Sequence, residues 1–234
     1  MRLTTNEKLV ARQSKIARYT TYGGLAVLLG AVVVNFFLAD LLLSYASLFV
    51  GFILAYIGAM LANKWIKEPR ADHALEKGLK GFDNKHHLFN YLSPLSHFLI
   101  TPTGVLVFKV KLLDGTITCV NGKWNRPWKW SRLFGGMGQE ALGDPIAELN
   151  TEIAAMKKFL ADKIDNAPLV PVDGYVVFTD PRVDLSMDDP ALPVVKAEDL
   201  KETLRKNKRG AVLLVKTQEQ LEQALSAGTN GQAT

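Results

Sequence analysis

The sequence predicts an α/β domain preceded by a two-helix transmembrane hairpin, and three stretches carry that prediction. Tyr22 to Ile66 holds only two charged residues, Asp40 and Lys64. Gly104-Val-Leu-Val-Phe-Lys-Val-Lys111 alternates as a strand does, with Leu106, Phe108 and Val110 on one face and Val105, Val107, Lys109 and Lys111 on the other. Asp144-Pro145 opens a segment in which Ile146, Leu149, Ile153, Met156 and Leu160 recur at helical spacing, one apolar stripe suited to cover a sheet.

Composition agrees with a membrane-attached domain. The 234 residues are 48% hydrophobic, and the mean hydropathy of +0.07 is high for a soluble protein. A net charge of +5 suits phosphate-rich partners or an anionic membrane surface, and the sign alone does not choose between them. The single cysteine, Cys119, excludes an internal disulfide framework and reads as a small buried hydrophobe.

Taken in order, residues 1–20 form a basic segment in which Arg2, Lys8, Arg12, Lys15 and Arg18 outnumber Glu7. A hydrocarbon core of about 30 Å takes roughly 20 helical residues, so residues 21–63 have room for two spans, near 22–38 and 42–61, with Ala39-Asp40-Leu41 as the turn. Lys64, Lys67 and Arg70 follow the second span. An excess of Lys and Arg at both ends predicts that both termini are cytoplasmic. Ser47, Gly51, Ala55 and Ala59 recur every four residues, and small residues in such a stripe let helices approach closely, either within the hairpin or against another membrane protein.

A linker over 64–72 leads to a cytoplasmic domain over 73–227, with a tail from Gly228 to Thr234 whose composition predicts disorder. Ala71 to Phe82 has the spacing of a helix. His86-His87 is a weak metal doublet, because adjacent side chains point apart and nothing stands at zinc-site spacing. Ser96–Thr101, Gly104–Leu112 and Thr116–Val120 predict three antiparallel strands, the last two joined by an Asp114-Gly115 hairpin turn. Gly174 to Thr179 is a buried strand and Glu198 to Lys206 a short helix. Ala211 to Val215 suggests a last strand, and Thr217-Gln-Glu-Gln220 a capping box for a helix through Ala227.

Lys123-Trp-Asn-Arg-Pro-Trp-Lys-Trp-Ser-Arg132 interleaves bases and aromatics. Lys123, Arg126, Trp128, Lys129, Trp130 and Arg132 suit a nucleic-acid backbone with stacked bases or an anionic lipid headgroup layer. In a third, purely structural role, Trp124 and another Trp cover a sheet edge.

From Ala71 to Leu204 the chain resembles the nuclease-related domain (NERD) family. The resemblance rests on Glu76, the Gly104 strand, Gly122-Lys-Trp124, Asp144-Pro145, Gly174 to Arg182 and Val195 to Leu204. It implies a restriction-endonuclease-like fold: a mixed central sheet flanked by helices. In the family the central strand ends Glu-x-Lys and the preceding strand carries Asp-His, acids expected to hold Mg²⁺. Here those positions read Lys109-Val-Lys111 and Ser96-His97. The resemblance therefore implies a degenerate site at Ser96, Lys109 and Lys111, with Glu76 as a remnant, no catalytic residue, no bound metal and no cofactor.

Two lysines on one strand face would favour an anion and repel a cation, so an anion-accepting cleft at Lys109 and Lys111 is expected. The function expected is a catalytically inactive, membrane-anchored nuclease-like domain, acting as a binding or structural component of a membrane assembly. Its partners would be the bilayer and another membrane protein, with nucleic acid as a further candidate. The alternative is a membrane-tethered nuclease or nucleic-acid-binding protein that recruits Glu76, Asp83 or Glu148; carboxylates within about 5 Å of Lys111 would favour it.

Overall fold

A computed structural model describes residues 1–38, 41–128, 139–164, 170–207, 212–213 and 215–230. They divide into two compact units, one of residues 1–7, 71–127 and 141–234, the other of residues 8–70 and 128–140.

The first unit is a mixed α/β domain. Its main sheet has six strands in the order β1 (Arg2–Thr5), β2 (His87–Leu92), β3 (Leu95–Thr101), β4 (Gly104–Lys111), β7 (Val172–Phe178) and β9 (Val194–Lys196). The β2–β3 and β3–β4 pairs are antiparallel; β1–β2, β4–β7 and β7–β9 are parallel. A second sheet holds β6 (Lys123–Asn125), β5 (Gly115–Val120) and β8 (Val183–Met187) in that order.

Alternation along β4 sorts the core into two layers, as the strand's pattern predicts. Val105 and Val107 face helix α4 (Pro145–Lys163), whose Leu149, Ile153, Met156 and Leu160 are buried with them. Phe108 faces the other way, onto Leu75 and Leu79 around helix α3 (Ala71–Gly78) and Leu200 and Leu204 of α5 (Leu200–Lys206). The Asp144 side chain caps α4 by accepting from the amides of Ile146 and Ala147, with Pro145 in the first turn.

Gly174 sets how closely α4 lies on the sheet. A Cβ there would stand 2.6 Å from Leu149 Cδ1 and 2.9 Å from Ile153 Cδ1. Gly174→Ala is expected to destabilise the chain by about 1–2 kcal/mol through overpacking, read as a lower thermal midpoint.

Five expectations change. Thr116–Val120 does not pair with the Gly104 strand: one edge of β4 is occupied by β3 and the other by β7, so β5 enters the second sheet and Asp114-Gly115 is a bend between sheets. The Asp114 carboxylate is held there by Arg126 and Arg182. Residues 2–5, expected as part of the basic segment over 1–20, form β1 on the edge of β2, with Arg2 paired to Glu222 of the last helix, α6 (Val215–Asn230). That helix starts two residues before Thr217, which is therefore interior and not a cap. It also runs to Asn230, three residues into the expected tail, while residues 231–234 lie outside the described residues. Of the strand expected over Ala211–Val215, only 212–213 and 215 are described; the first two are irregular and Val215 is helical.

The second unit contains two helices long and apolar enough to cross a membrane, α1 (Glu7–Leu38) and α2 (Leu41–Trp65). The expected turn at Ala39-Asp40 lies outside the described residues. Val10, Ala17, Gly24 and Ala31 are buried at seven-residue intervals in α1, and Ser44, Gly51, Gly58 and Trp65 likewise in α2. A seven-residue repeat keeps one face of each helix against its neighbour, and small residues let the backbones approach. A Cβ on Gly24 would lie 2.5 Å from the Ala55 amide nitrogen, and one on Gly58 would lie 2.6 Å from that of Thr21. Outside this seam the helices expose apolar side chains such as Leu29, Val32, Phe36, Phe49 and Phe52.

Candidate functional site

The predicted site residues Lys109 and Lys111 lie on the α4 side of β4, toward its C-terminal end. Their ammonium groups are not free. Glu148 and Glu152 stand one turn apart on α4, flanking the Leu149–Ile153 stripe, and reach back over the strand. Lys109 Nζ lies 2.9 Å from Glu148 Oε2 and 2.9 Å from Glu152 Oε1. Lys111 Nζ donates to both Glu148 oxygens, at 3.1 and 3.0 Å. Lys111 is 3% exposed; Lys109 and both glutamates are half-buried.

This arrangement replaces the expected anion-accepting cleft. Two ammonium groups meet two carboxylates, and the cluster is formally neutral. Burial works against the Glu148 carboxylate, but hydrogen bonds from Lys109 and Lys111 outweigh it and hold its pKa below the ordinary value. Burial likewise disfavours the Lys109 ammonium, and its bonds to Glu152 and Glu148 raise its pKa on balance. Sequence reasoning placed Glu148 on the helix but overlooked Glu152. The available signal was the four-residue spacing of two glutamates beside the apolar stripe.

The other predicted residues are dispersed. Ser96 is exposed, just inside the start of β3. The β3–β4 ladder reaches as far as Phe98 opposite Val107, so continued by two residues its register would set Ser96 opposite Lys109. Glu76 is exposed on α3, a helix covering the opposite face of the sheet from Lys109. Asp83 is bonded to His86 at 2.6 Å, which holds its pKa low. His87 turns instead to Thr4 Oγ1, at 2.8 Å, so the two adjacent histidines do not converge. Among the described residues no group of three His, Cys, Asp or Glu side chains is placed to hold a metal ion.

Of the basic aromatic stretch, Lys123 is exposed on β6 and Trp124 is packed against the main core. Arg126 donates from Nη2 to the Asp114 carboxylate and from Nε to the Asp114 backbone carbonyl, the latter at 3.0 Å. Trp128 is 60% exposed. Lys129, Trp130 and Arg132 lie outside the described residues.

The model of the nuclease-related domain matches residues 61–179, just over half of the chain. The chain belongs to the NERD family. The matched region runs from the end of α2 through β7 and so contains every member of the Lys109 cluster. No curated protein and no solved structure matches the chain significantly. In this NERD domain the central strand thus carries two lysines, and the nearest carboxylates come from the helix above it.

Proposed function

We propose that this chain is a membrane-anchored, catalytically inactive nuclease-like domain that serves as a binding or structural component of a membrane-associated assembly. What supports the loss of catalysis most directly is the ion-pair cluster on β4 and α4. Metal-dependent phosphodiester cleavage needs a cation held by hard carboxylates to activate water and steady the leaving oxygen. Here Glu148 and Glu152 are engaged by Lys109 and Lys111 at 2.9–3.1 Å. A divalent ion would have to displace ammonium groups that stay on tethers beside it. Like charges about 4 Å apart repel by roughly 4 kcal/mol at an effective dielectric of 20.

Anchoring is supported by α1 and α2, and the connectivity favours termini on one side. Residues 1–7 and 71 onward fold into one unit, so any bilayer crossing made by α1 must be reversed by α2. Basic residues at both ends of the pair favour the cytoplasm for that side. Gly51 and Ala55 of the small-residue stripe meet α1 itself, against Leu28 and Gly24, so the hairpin is their first partner. The outward apolar faces remain for lipid or a further membrane protein.

Purified full-length protein is expected to leave DNA and RNA intact with Mg²⁺ or Mn²⁺. Divalent-dependent cleavage that disappears on Lys111→Ala would overturn the proposal. A second possibility, a nuclease using non-standard carboxylates, is favoured by one observation: Glu148 lies within 3.1 Å of Lys111. Calorimetric titration with Mg²⁺ separates the two, because that nuclease must bind the ion.

A further inference from the structure

We propose that the exposed face of α1 from Ala11 to Leu29 is a binding site for one anionic phospholipid, its phosphate held by Lys15 and Arg18 and its acyl chains lying along Tyr22, Leu25 and Leu29, about one leaflet deep. This rests on the membrane anchoring proposed above and adds a ligand to it.

A groove of about 530 Å³ is lined by Ala11, Ser14, Lys15, Arg18, Tyr19 and Tyr22. Ala11 and Ser14 are short, which leaves space between the longer side chains. Lys15 Nζ sits 5.8 Å from the centre of the Tyr19 ring, and among the described residues neither Lys15 nor Arg18 has a carboxylate partner. Tyr19 and Tyr22 are 67% and 66% exposed, with hydroxyls free to meet phosphate or ester oxygens.

The groove continues without a break into hydrocarbon-compatible surface. Arg18, Tyr22, Leu25, Leu29, Val32 and Phe36 follow one another at alternating four- and three-residue steps, so they form a single line along the helix. The four apolar members are all exposed, from Leu25 at 52% to Phe36 at 84%. A ligand with a phosphate at one end and apolar chains at the other fits the part of this line from Arg18 to Leu29, about one leaflet deep; a nucleic acid would meet only its first turn.

The depth fits as well. Arg18 lies 20 residues before the end of α1 at Leu38, about 30 Å at 1.5 Å per residue, the thickness of a hydrocarbon core. At the level of Lys15, the seam brings in Trp65 of α2, whose carbonyl accepts from Ser14 Oγ at 2.9 Å, with Lys64 over the Trp65 ring. Basic and aromatic side chains thus gather at the depth where headgroups lie.

The test uses full-length protein, extracted in detergent and mixed with equal phosphatidylcholine and phosphatidylglycerol, with bound lipid counted by native mass spectrometry. Wild type is expected to retain phosphatidylglycerol preferentially. The double substitution Lys15→Gln with Arg18→Gln is expected to weaken that retention about thirtyfold, from roughly fivefold per basic residue, whereas Lys157→Gln on α4 leaves it unchanged. Equal retention of the two lipids, or a preference that survives the double substitution, overturns the proposal. So does displacement of the lipid by millimolar inorganic phosphate, which would mark a site for free anion. Release of the protein from membranes by alkaline carbonate would remove the anchoring itself, and the lipid site with it.

Discussion

Glu148→Gln is expected to lower the stability of the α/β domain by about 2–3 kcal/mol. Breaking a fully buried ion pair costs roughly 3–5 kcal/mol, and the lower figure reflects solvent screening at Glu148, whose side chain is 35% exposed. The Lys111 side chain is only 4% exposed and loses a carboxylate at 3.0 Å. Lys109 loses one of its two. Thermal unfolding of full-length protein in detergent measures the effect. If the loss comes from the ion pair, adding Lys111→Met should recover part of it, because an apolar side chain suits that buried position; simple additivity would argue against coupling.

The same group gives a pH signature. Because the folded pKa of Glu148 is lowered, its stabilisation is fully present above the unfolded value of about 4.3 and is lost as pH falls through the folded value. Wild type should therefore lose stability in acid below about pH 4.3, and Glu148→Gln should flatten that limb.

Lys109→Glu is expected to produce the opposite kind of change, a gain of divalent-ion binding. The substitution gathers three carboxylates where the Lys109 ammonium stood between two: the new one on β4, Glu148 and Glu152. Without metal they repel one another and the domain is weakened. With Mg²⁺ that repulsion becomes attraction, and an affinity on the order of 10⁻³ M is expected for so few hard ligands. At 10 mM Mg²⁺ that stabilises the fold by about 1.4 kcal/mol, visible as a magnesium-dependent rise in thermal midpoint that wild type does not share. A variant indifferent to Mg²⁺ would mean that the β4–α4 geometry, and not only the charge of Lys109, opposes a metal.

What the sequence disclosed follows from the range of each interaction. The two faces of β4, the cap and stripe of α4 and the apolar helices are local patterns, and each is realised at its predicted place. The charge on Lys109 and Lys111 was also local, and it pointed to a vacant positive pocket. The compensating glutamates lie 37 to 43 positions downstream and come within reach only once Gly174 lets α4 settle on the sheet. Strand partners were hidden for a similar reason. Nothing in Arg2-Leu-Thr-Thr5 marks a strand except an edge offered by residues 87–90, and Asp114-Gly115 has the local form of a hairpin while both neighbours of β4 are fixed elsewhere.

The pairing of β1 with β2 constrains the order in which this protein is made. Residues 2–5 leave the ribosome some 85 residues before their partners and must wait while both apolar helices are synthesised and delivered. If only one of those helices entered the bilayer, the first strand and its acceptor would be held on opposite sides and could not pair. If the chain is anchored as proposed, the β1–β2 pair therefore forms only where the two apolar helices have both crossed or have both failed to cross.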